Sequence, residues 1–466
     1  MADGEISSNL FEKIISSSGA EFYTPVPKGY ATGKTKYVVI TGSVISGIGK
    51  GMVSSSLMKL FADRKMNVEP IKLEAYLNID SGTMNPYRHG EVFVLDDGFE
   101  TDMDLGSYER FIDKNLSRKS FVTSGQIYQR ITEKERKGDY LGRDVQFIPH
   151  VTGEIKMVLR DLAMEKKPDV IVIEIGGTVG DYENMFALEA VRELIYEEGR
   201  ENVCFVNVTY IIEPQSLGEH KSKAAQLGIK GLMSLGIQPN VILCRSHTPI
   251  PNSIIEKISL NTNVPTKQVI GVEDIDNIHE LPLFLRKKGI DSIILSSLQL
   301  DKKFPLNGNK LEEWTKKLSP SQKAKSVKIG VAGKYTGLHD SYISILKALE
   351  HCEGPLDVKV WVEWIDSEKL EKNDNAEWEK AKAMGGIIVP IGFGARGVEG
   401  KIAVAKHCRE NNVPYLGLCF GFQMALIEFA RNVLGMKGAN STEVDPNTKY
   451  PVVDFLPEQK KLENLG

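Results

Sequence analysis

The sequence predicts two α/β domains in succession, the first built on a parallel sheet covered by helices on both faces and the second a separate α/β domain that ends early. Three observations predict it. Short β-branched apolar runs recur at YVVIT (37–41), VIVIEIGG (170–177), VCFVNVTYII (203–212) and VILCR (241–245), with helix-like stretches such as MVSSSLMKLFADRK between them. A charged stretch with proline and glycine, DKKFPLNGNKLEEWTKKLSPSQKAKS, then interrupts the pattern. After it a second series begins at VKIGVAG (327–333) and runs through VKVWVEWI, GGIIVPIGFG and VPYLGLCFG.

These shifts divide the chain into an N-terminal extension over 1–35, a first domain over 36–294, a linker with some helix over 295–326 and a second domain over 327–466. A length of 466 residues fits more than one core. Hydrophobic and charged fractions of 41% and 26% are those of a soluble globular protein. A net charge of -4 supplies no basic field for nucleic acid. No apolar run is long enough to span a bilayer, and MADGEISSNLFEKIISSSGAEF lacks the basic and apolar regions of a signal peptide. The five cysteines, Cys204, Cys244, Cys352, Cys408 and Cys419, are scattered and not in metal-ligand spacing. That predicts a reducing, cytoplasmic setting with room for one reactive thiol.

The first strand ends in Gly42-Ser-Val-Ile-Ser-Gly-Ile-Gly-Lys-Gly51. Glycines let backbone N–H groups converge on phosphate oxygens at a helix N-terminus, and Lys50 adds a full charge, as in a P-loop-type domain. The spacing is not the standard one, because the first glycine is too far from Gly49-Lys50 and Gly51 stands where Ser or Thr is usual. The alternative is a tight turn with a solvent-facing lysine. Further on, ETDMDLGSYERF carries Glu100, Asp102 and Asp104, and EIGGTVGDYE places Glu174 at the end of a strand. Ligands of such sheets bind at that edge, and Mg2+ takes one or two carboxylates plus phosphate oxygens. Asp104 with Glu174 suffices, although Asp104 alone also reads as a surface acid. In GEHKSKAAQ, Lys221 and Lys223 fit either a solvated face or a triphosphate partner.

From about residue 36 onward, the chain resembles the CTP synthases. The stretches that carry this are TGSVISGIGKG, KLEAYLNIDSGTMNPYRHGEVFVLDDGFETDMDLGSYERF, EIGGTVGDYE, GEHKSKAAQ, CRS (244–246), IGFGARGVEGK, LGLCFGFQ and ARNVLGMKGANSTE. The resemblance implies a synthetase domain that aminates UTP at the expense of ATP through a 4-phosphorylated intermediate, followed by a glutamine-hydrolysing domain. It implies that Ser46, Gly47, Ile48, Gly49, Lys50, Gly51 and Lys72 serve ATP, with Lys50 catalytic, and that Asp104 and Glu174 hold Mg2+. UTP falls to Lys221, Lys223, Gln226 and Lys257, and the shared UTP and CTP-feedback region to Asp181, Tyr182 and Glu183. A homotetramer and GTP activation are further implications. Four positions depart from the family pattern: Ser43 for glycine, Arg88 for glutamine, and Ala224-Ala225 for Pro-Thr.

LGLCFGFQ resembles the nucleophile elbow of class I glutamine amidotransferases, with Cys419 on a sharp strand-to-helix turn. The resemblance implies an oxyanion hole from the backbone of Phe420 and of the IGFG loop at Gly392, and glutamine contacts from Gln423 and Glu443. Ile391 replaces a glycine in that loop, where a positive φ would strain a β-branched residue. The family's His and Glu lie downstream of the cysteine, whereas the last histidine here is His407. The expectation is a second domain that is incomplete and a chain that uses ammonia rather than glutamine. A regulatory or filament-forming homologue without glutaminase activity is the alternative.

Overall fold

The computed structural model describes residues 25–214, 218–306, 308–392 and 394–457. Two compact units form. One holds the described residues up to Ser81 together with Val94–Glu312, and the other holds Gly82–Phe93 together with the described residues from Glu313 onward.

The first unit is built on seven strands: β1 (Lys36–Gly42), β2 (Val68–Glu74), β3 (Phe121–Thr123), β4 (Val170–Ile175), β5 (Val203–Tyr210), β6 (Val241–Ser246) and β7 (Val269–Glu273). Their order across the sheet is β3-β2-β4-β1-β5-β6-β7, and every pairing is parallel. The strands the apolar runs predict are all present. Three others, β2, β3 and β7, are not marked by such runs. In β2 (VEPIKLE) the charges and proline hide a strand that is nonetheless buried almost throughout. Helices α1 (Lys50–Asp63), α2 (Met103–Ile112), α3 (Thr152–Lys166), α4 (Met185–Glu198), α5 (Lys223–Ser234) and α6 (Asn252–Thr262) cover the sheet. One apolar cluster joins Tyr37, Ile71, Ile173 and Phe205 of the strands to Leu159 of α3 and Leu194 of α4. A second joins Ile242 to Ile229 and Ile258.

The expected N-terminal extension is partly integrated into this unit. Tyr30 packs against the first cluster, its hydroxyl lies 2.8 Å from that of Tyr37, and Arg160 donates to the Pro25 carbonyl at 3.1 Å. Residues 1–24 lie outside the described residues. No helix among the described residues is long and apolar enough to cross a membrane.

The second unit carries β8 (Lys325–Gly333), β9 (Val358–Asp366), β10 (Gly386–Val389) and β11 (Tyr415–Gly417), in the parallel order β9-β8-β10-β11. Helices α7 (Val398–Glu410) and α8 (Phe420–Asn432) follow β10 and β11, and a small parallel pair, β12 (Ala439–Ser441) and β13 (Tyr450–Val453), lies beyond. Its segment Gly82–Phe93 is held by the Glu91 amide, which donates to Asp340 at 2.9 Å, and the Glu91 carboxylate, which accepts from the Ser344 amide at 2.8 Å.

Candidate functional site

The glycine-rich turn leaves β1 and enters α1 at its first residue, Lys50. Gly47 and Gly49 take left-handed φ values of 70° and 86°. Ser43 avoids that region, sits buried against Asn207 at 3.2 Å and so fits without backbone strain. Val44 does adopt φ 82°, costly for a β-branched residue. Ser46 and Gly47 are exposed at the turn, and Ile48 is buried beneath it. The Lys50 ammonium reaches across to the Gly177 carbonyl, 2.7 Å away, just past the end of β4.

Parallel pairing of β2 with β4 sets Lys72 beside Glu174. The Lys72 ammonium bonds to Asp102 and Asp104, and to Glu74 at 3.0 Å. Asp102 caps α2 and accepts from the Asp104 amide at 3.0 Å. Glu174 accepts from Ser54 at 2.7 Å and from Tyr108 at 2.5 Å. Two glycines make room for these acids: a Cβ on Gly51 would lie 2.1 Å from Asp104 Oδ1, and one on Gly176 would lie 2.5 Å from Glu74 Oε2. Gly51 therefore occupies the place of the usual Ser or Thr because a carboxylate fills the space a side chain would need.

Burial raises the Asp102 carboxyl well above the usual range, against the pull of Lys72, with Asp104 and Glu74 adding repulsion. Burial also raises Glu174, helped by Asp104. Burial works against the Lys72 ammonium, but the surrounding acids outweigh it and hold its pKa well above the ordinary value. Hard oxygen donors with mutual repulsion suit a divalent cation such as Mg2+. Among the described residues no three His, Cys, Asp or Glu side chains form a ready-made metal cage. Beside the loop, a cavity of about 300 Å³ is walled by Ile48, Met52, Tyr210, Arg245, Asp274 and Ile278. Arg245 is fixed there by Asp274 at 2.6 Å.

In the second unit Cys419 joins β11 to α8 at φ 49° and ψ -104°, a strained elbow that leaves the thiol exposed. The elbow is possible because Gly417 and Gly421 lack side chains: Cβ atoms there would fall 2.5 Å from Phe422 N and 1.9 Å from Val389 O. Three other cysteines are buried, and burial pushes Cys204 and Cys244 up to about 12 and Cys408 up to about 11. The Gln423 backbone N–H donates to the Cys419 carbonyl at 3.1 Å, and Glu443 accepts from the Gly394 amide at 2.8 Å. Positive φ in the neighbouring loop falls on Gly392 and Gly394, and Ile391 takes no such value, so the strain expected at Ile391 is absent. His407 is engaged elsewhere, 3.1 Å from Asn411 and edge-on to Trp378.

Residues 36–300 match the family described as CTP synthase N-terminus, and residues 338–460 match glutamine amidotransferase class-I. A CTP synthase of Thermococcus kodakarensis (strain ATCC BAA-918 / JCM 12380 / KOD1) is 50% identical over 433 residues, covering 93% of this chain and 80% of that protein. This chain belongs to the CTP synthases. The CTP synthases of Bacillus subtilis (strain 168) and Pyrococcus abyssi (strain GE5 / Orsay) are 48% and 49% identical over the same share of this chain, covering 80% and 79% of their own lengths.

The other residues expected from the CTP synthase resemblance are more scattered. Lys221, Lys223 and Lys257 are exposed, and Lys221 pairs with Glu219. Gln226 is buried, its amide turned to Ser222 at 3.0 Å. Ala225 packs in the second apolar cluster of the first unit, so the hydroxyl missing there would have met hydrocarbon. Asp181 accepts from the Thr178 amide at 2.7 Å, Tyr182 is exposed, and Glu183 lines a small cavity with Tyr128 and Phe186. Glu74, Ser54, Tyr108 and the Arg245–Asp274 pair escaped sequence reasoning. Only Glu74 left a local trace, being an acid at a strand end two residues after Lys72.

Proposed function

We propose that the chain makes CTP by ATP-dependent amination of UTP. The observation that supports this best is the meeting of Lys50, Lys72, Asp104 and Glu174 beside a glycine-rich turn, at the edge of the sheet where ligands of such folds bind. In this reading the turn from Ser46 to Gly51 cradles the ATP phosphates, the cavity walled by Ile48 and Arg245 takes the base, and Lys221, Lys223 and Lys257 hold the UTP triphosphate. Gln226, in its buried position, orders the start of α5 beneath those lysines.

The reaction transfers the γ-phosphoryl group of ATP to O4 of UTP, ammonia then adds at C4, and phosphate leaves. Such transfer needs alignment and charge neutralisation more than covalent help. Lys50 and Lys72 supply positive charge, and the acids around Lys72 keep that charge in place. Asp104 and Glu174 would hold Mg2+, which when bound neutralises charge on the phosphates. CTP feedback at Asp181, Tyr182 and Glu183, GTP activation and assembly as a homotetramer belong to the same proposal.

In the same reading Cys419 attacks the carboxamide of glutamine, with Gly392, Gln423 and Glu443 contributing to that site. The sequence holds no histidine beyond His407, and that ring is engaged by Asn411 and Trp378. Free ammonia reaches the same product without Cys419, so the two nitrogen sources can be tested separately. The test follows UTP turning into CTP by absorbance, with ATP and Mg2+, supplying ammonium chloride at alkaline pH or glutamine. Turnover with ammonia is expected. Turnover with neither, in a folded chain that binds UTP, overturns the synthetase reading.

A further inference from the structure

Lys401 lies in the second turn of α7 and is fully buried. Its ammonium has no hydrogen-bond partner among the described residues. It stands 5.0 Å from the centre of the Phe420 ring, and a Cβ on Gly392 would come within 3.0 Å of it. In the reading of Cys419 as nucleophile, Gly392 and Phe420 are the two residues whose backbones form the oxyanion hole.

The charged groups facing this region do not neutralise Lys401. Lys334, beyond the end of β8, is a second cation, whose Cε lies 3.3 Å from the same point on Gly392. Arg396 is a third and pairs with Glu368 at 3.0 Å. Glu443 receives the Gly394 amide, Glu371 receives the Gly397 amide, and Glu399 pairs with Arg431. Burial, reinforced by Lys334, lowers the Lys401 ammonium to about 8. A buried cation without an anion is costly, and here it sits behind a position where an anion forms only during reaction.

We propose that Lys401 is a positioning residue of the Cys419 site, a buried counter-charge that acts across Gly392 on the oxyanion formed when the thiolate adds to a carboxamide carbonyl. In that step the S–C bond forms, the carbonyl π pair moves onto oxygen, and the oxygen becomes negative. The cation is unpaired beforehand and partnered only afterwards, so its stabilisation is specific to the transition state and the adduct. The inference rests on the reading of Cys419 as nucleophile.

The experiment compares two probes of Cys419 in the full chain and in Lys401→Met. Iodoacetamide alkylates the thiol by displacement and forms no oxyanion. An aldehyde analogue of the glutamine side chain adds reversibly, forms the tetrahedral adduct, and is read by its protection of Cys419 from alkylation. Expected is a tenfold or greater loss of aldehyde affinity in Lys401→Met, with the alkylation rate within twofold of the unmutated chain. Equal aldehyde affinity in the two proteins overturns the role of Lys401. Parallel loss of both reactivities overturns it as well, since it marks a structural effect. No aldehyde adduct in the unmutated chain, with normal alkylation, overturns the nucleophile reading itself and the inference with it.

Discussion

The two candidate sites handle cost in opposite ways. In the first unit the side chains bear it. Glu74, Asp102, Asp104 and Glu174 crowd around Lys72, each with a partner, and the backbone at Gly51 and Gly176 gives way to them. In the second unit the backbone bears it, through the φ of 49° at Cys419, while the nearby Lys401 cation is left unpaired. A site that binds highly charged phosphates benefits from charges already fixed among themselves. A site that makes an anion transiently benefits from a charge with nothing yet to hold.

The largest way to break this contrast is Lys72→Met. It strands the partly buried carboxylates of Glu74, Asp102 and Asp104, and loss of one partner of a buried ion pair costs about 3–5 kcal/mol. Denaturant unfolding of the first unit should show that loss, with recovery at acidic pH as the orphaned acids take up protons. Lys401→Met should act with the opposite sign. The folded pKa of about 8 lies below the ordinary 10.5, so the unfolded chain binds more protons between these values. The penalty is full below pH 8 and disappears as pH rises toward 10.5. The variant should gain on the order of 3 kcal/mol at pH 7 and nothing near pH 10.5, read by unfolding of the second unit at both pH values.

Gly51→Ala puts a methyl where the Asp104 carboxylate sits. Displacing that group should lower ammonia-dependent CTP formation by about 10²-fold, with a smaller change in thermal stability. The smallest effect belongs to Ile391→Gly. The side chain is exposed and its φ is not positive, so stability should move by no more than about 0.5 kcal/mol. A larger gain would mean that strain does reside at Ile391.

The parallel sheets were legible wherever an apolar run was unbroken, as in VIVIEI or VCFVNV. They were not legible in VEPIKLE, because a strand whose side chains serve a site carries charges where pattern reasoning expects hydrocarbon. Lys50 was legible from the glycines around it, since local backbone freedom is a local signal. Glu74, Ser54 and Tyr108 were not, because their meeting with Lys72 and Glu174 depends on strand register and helix docking. Gly51 was legible only as a departure from a pattern. Its reason, the carboxylate of Asp104, lies more than fifty positions further along the chain.

The chain passes from the first unit into the second at Ser81, returns at Val94, and crosses again after Glu312. Neither unit is therefore one uninterrupted stretch of coding sequence. A gene fragment starting at Glu313 would encode the second unit without Gly82–Phe93 and its bonds to Asp340 and Ser344. Anyone dividing this protein for separate expression must graft that short segment back, and exchange of either half between relatives has to move two pieces of sequence together.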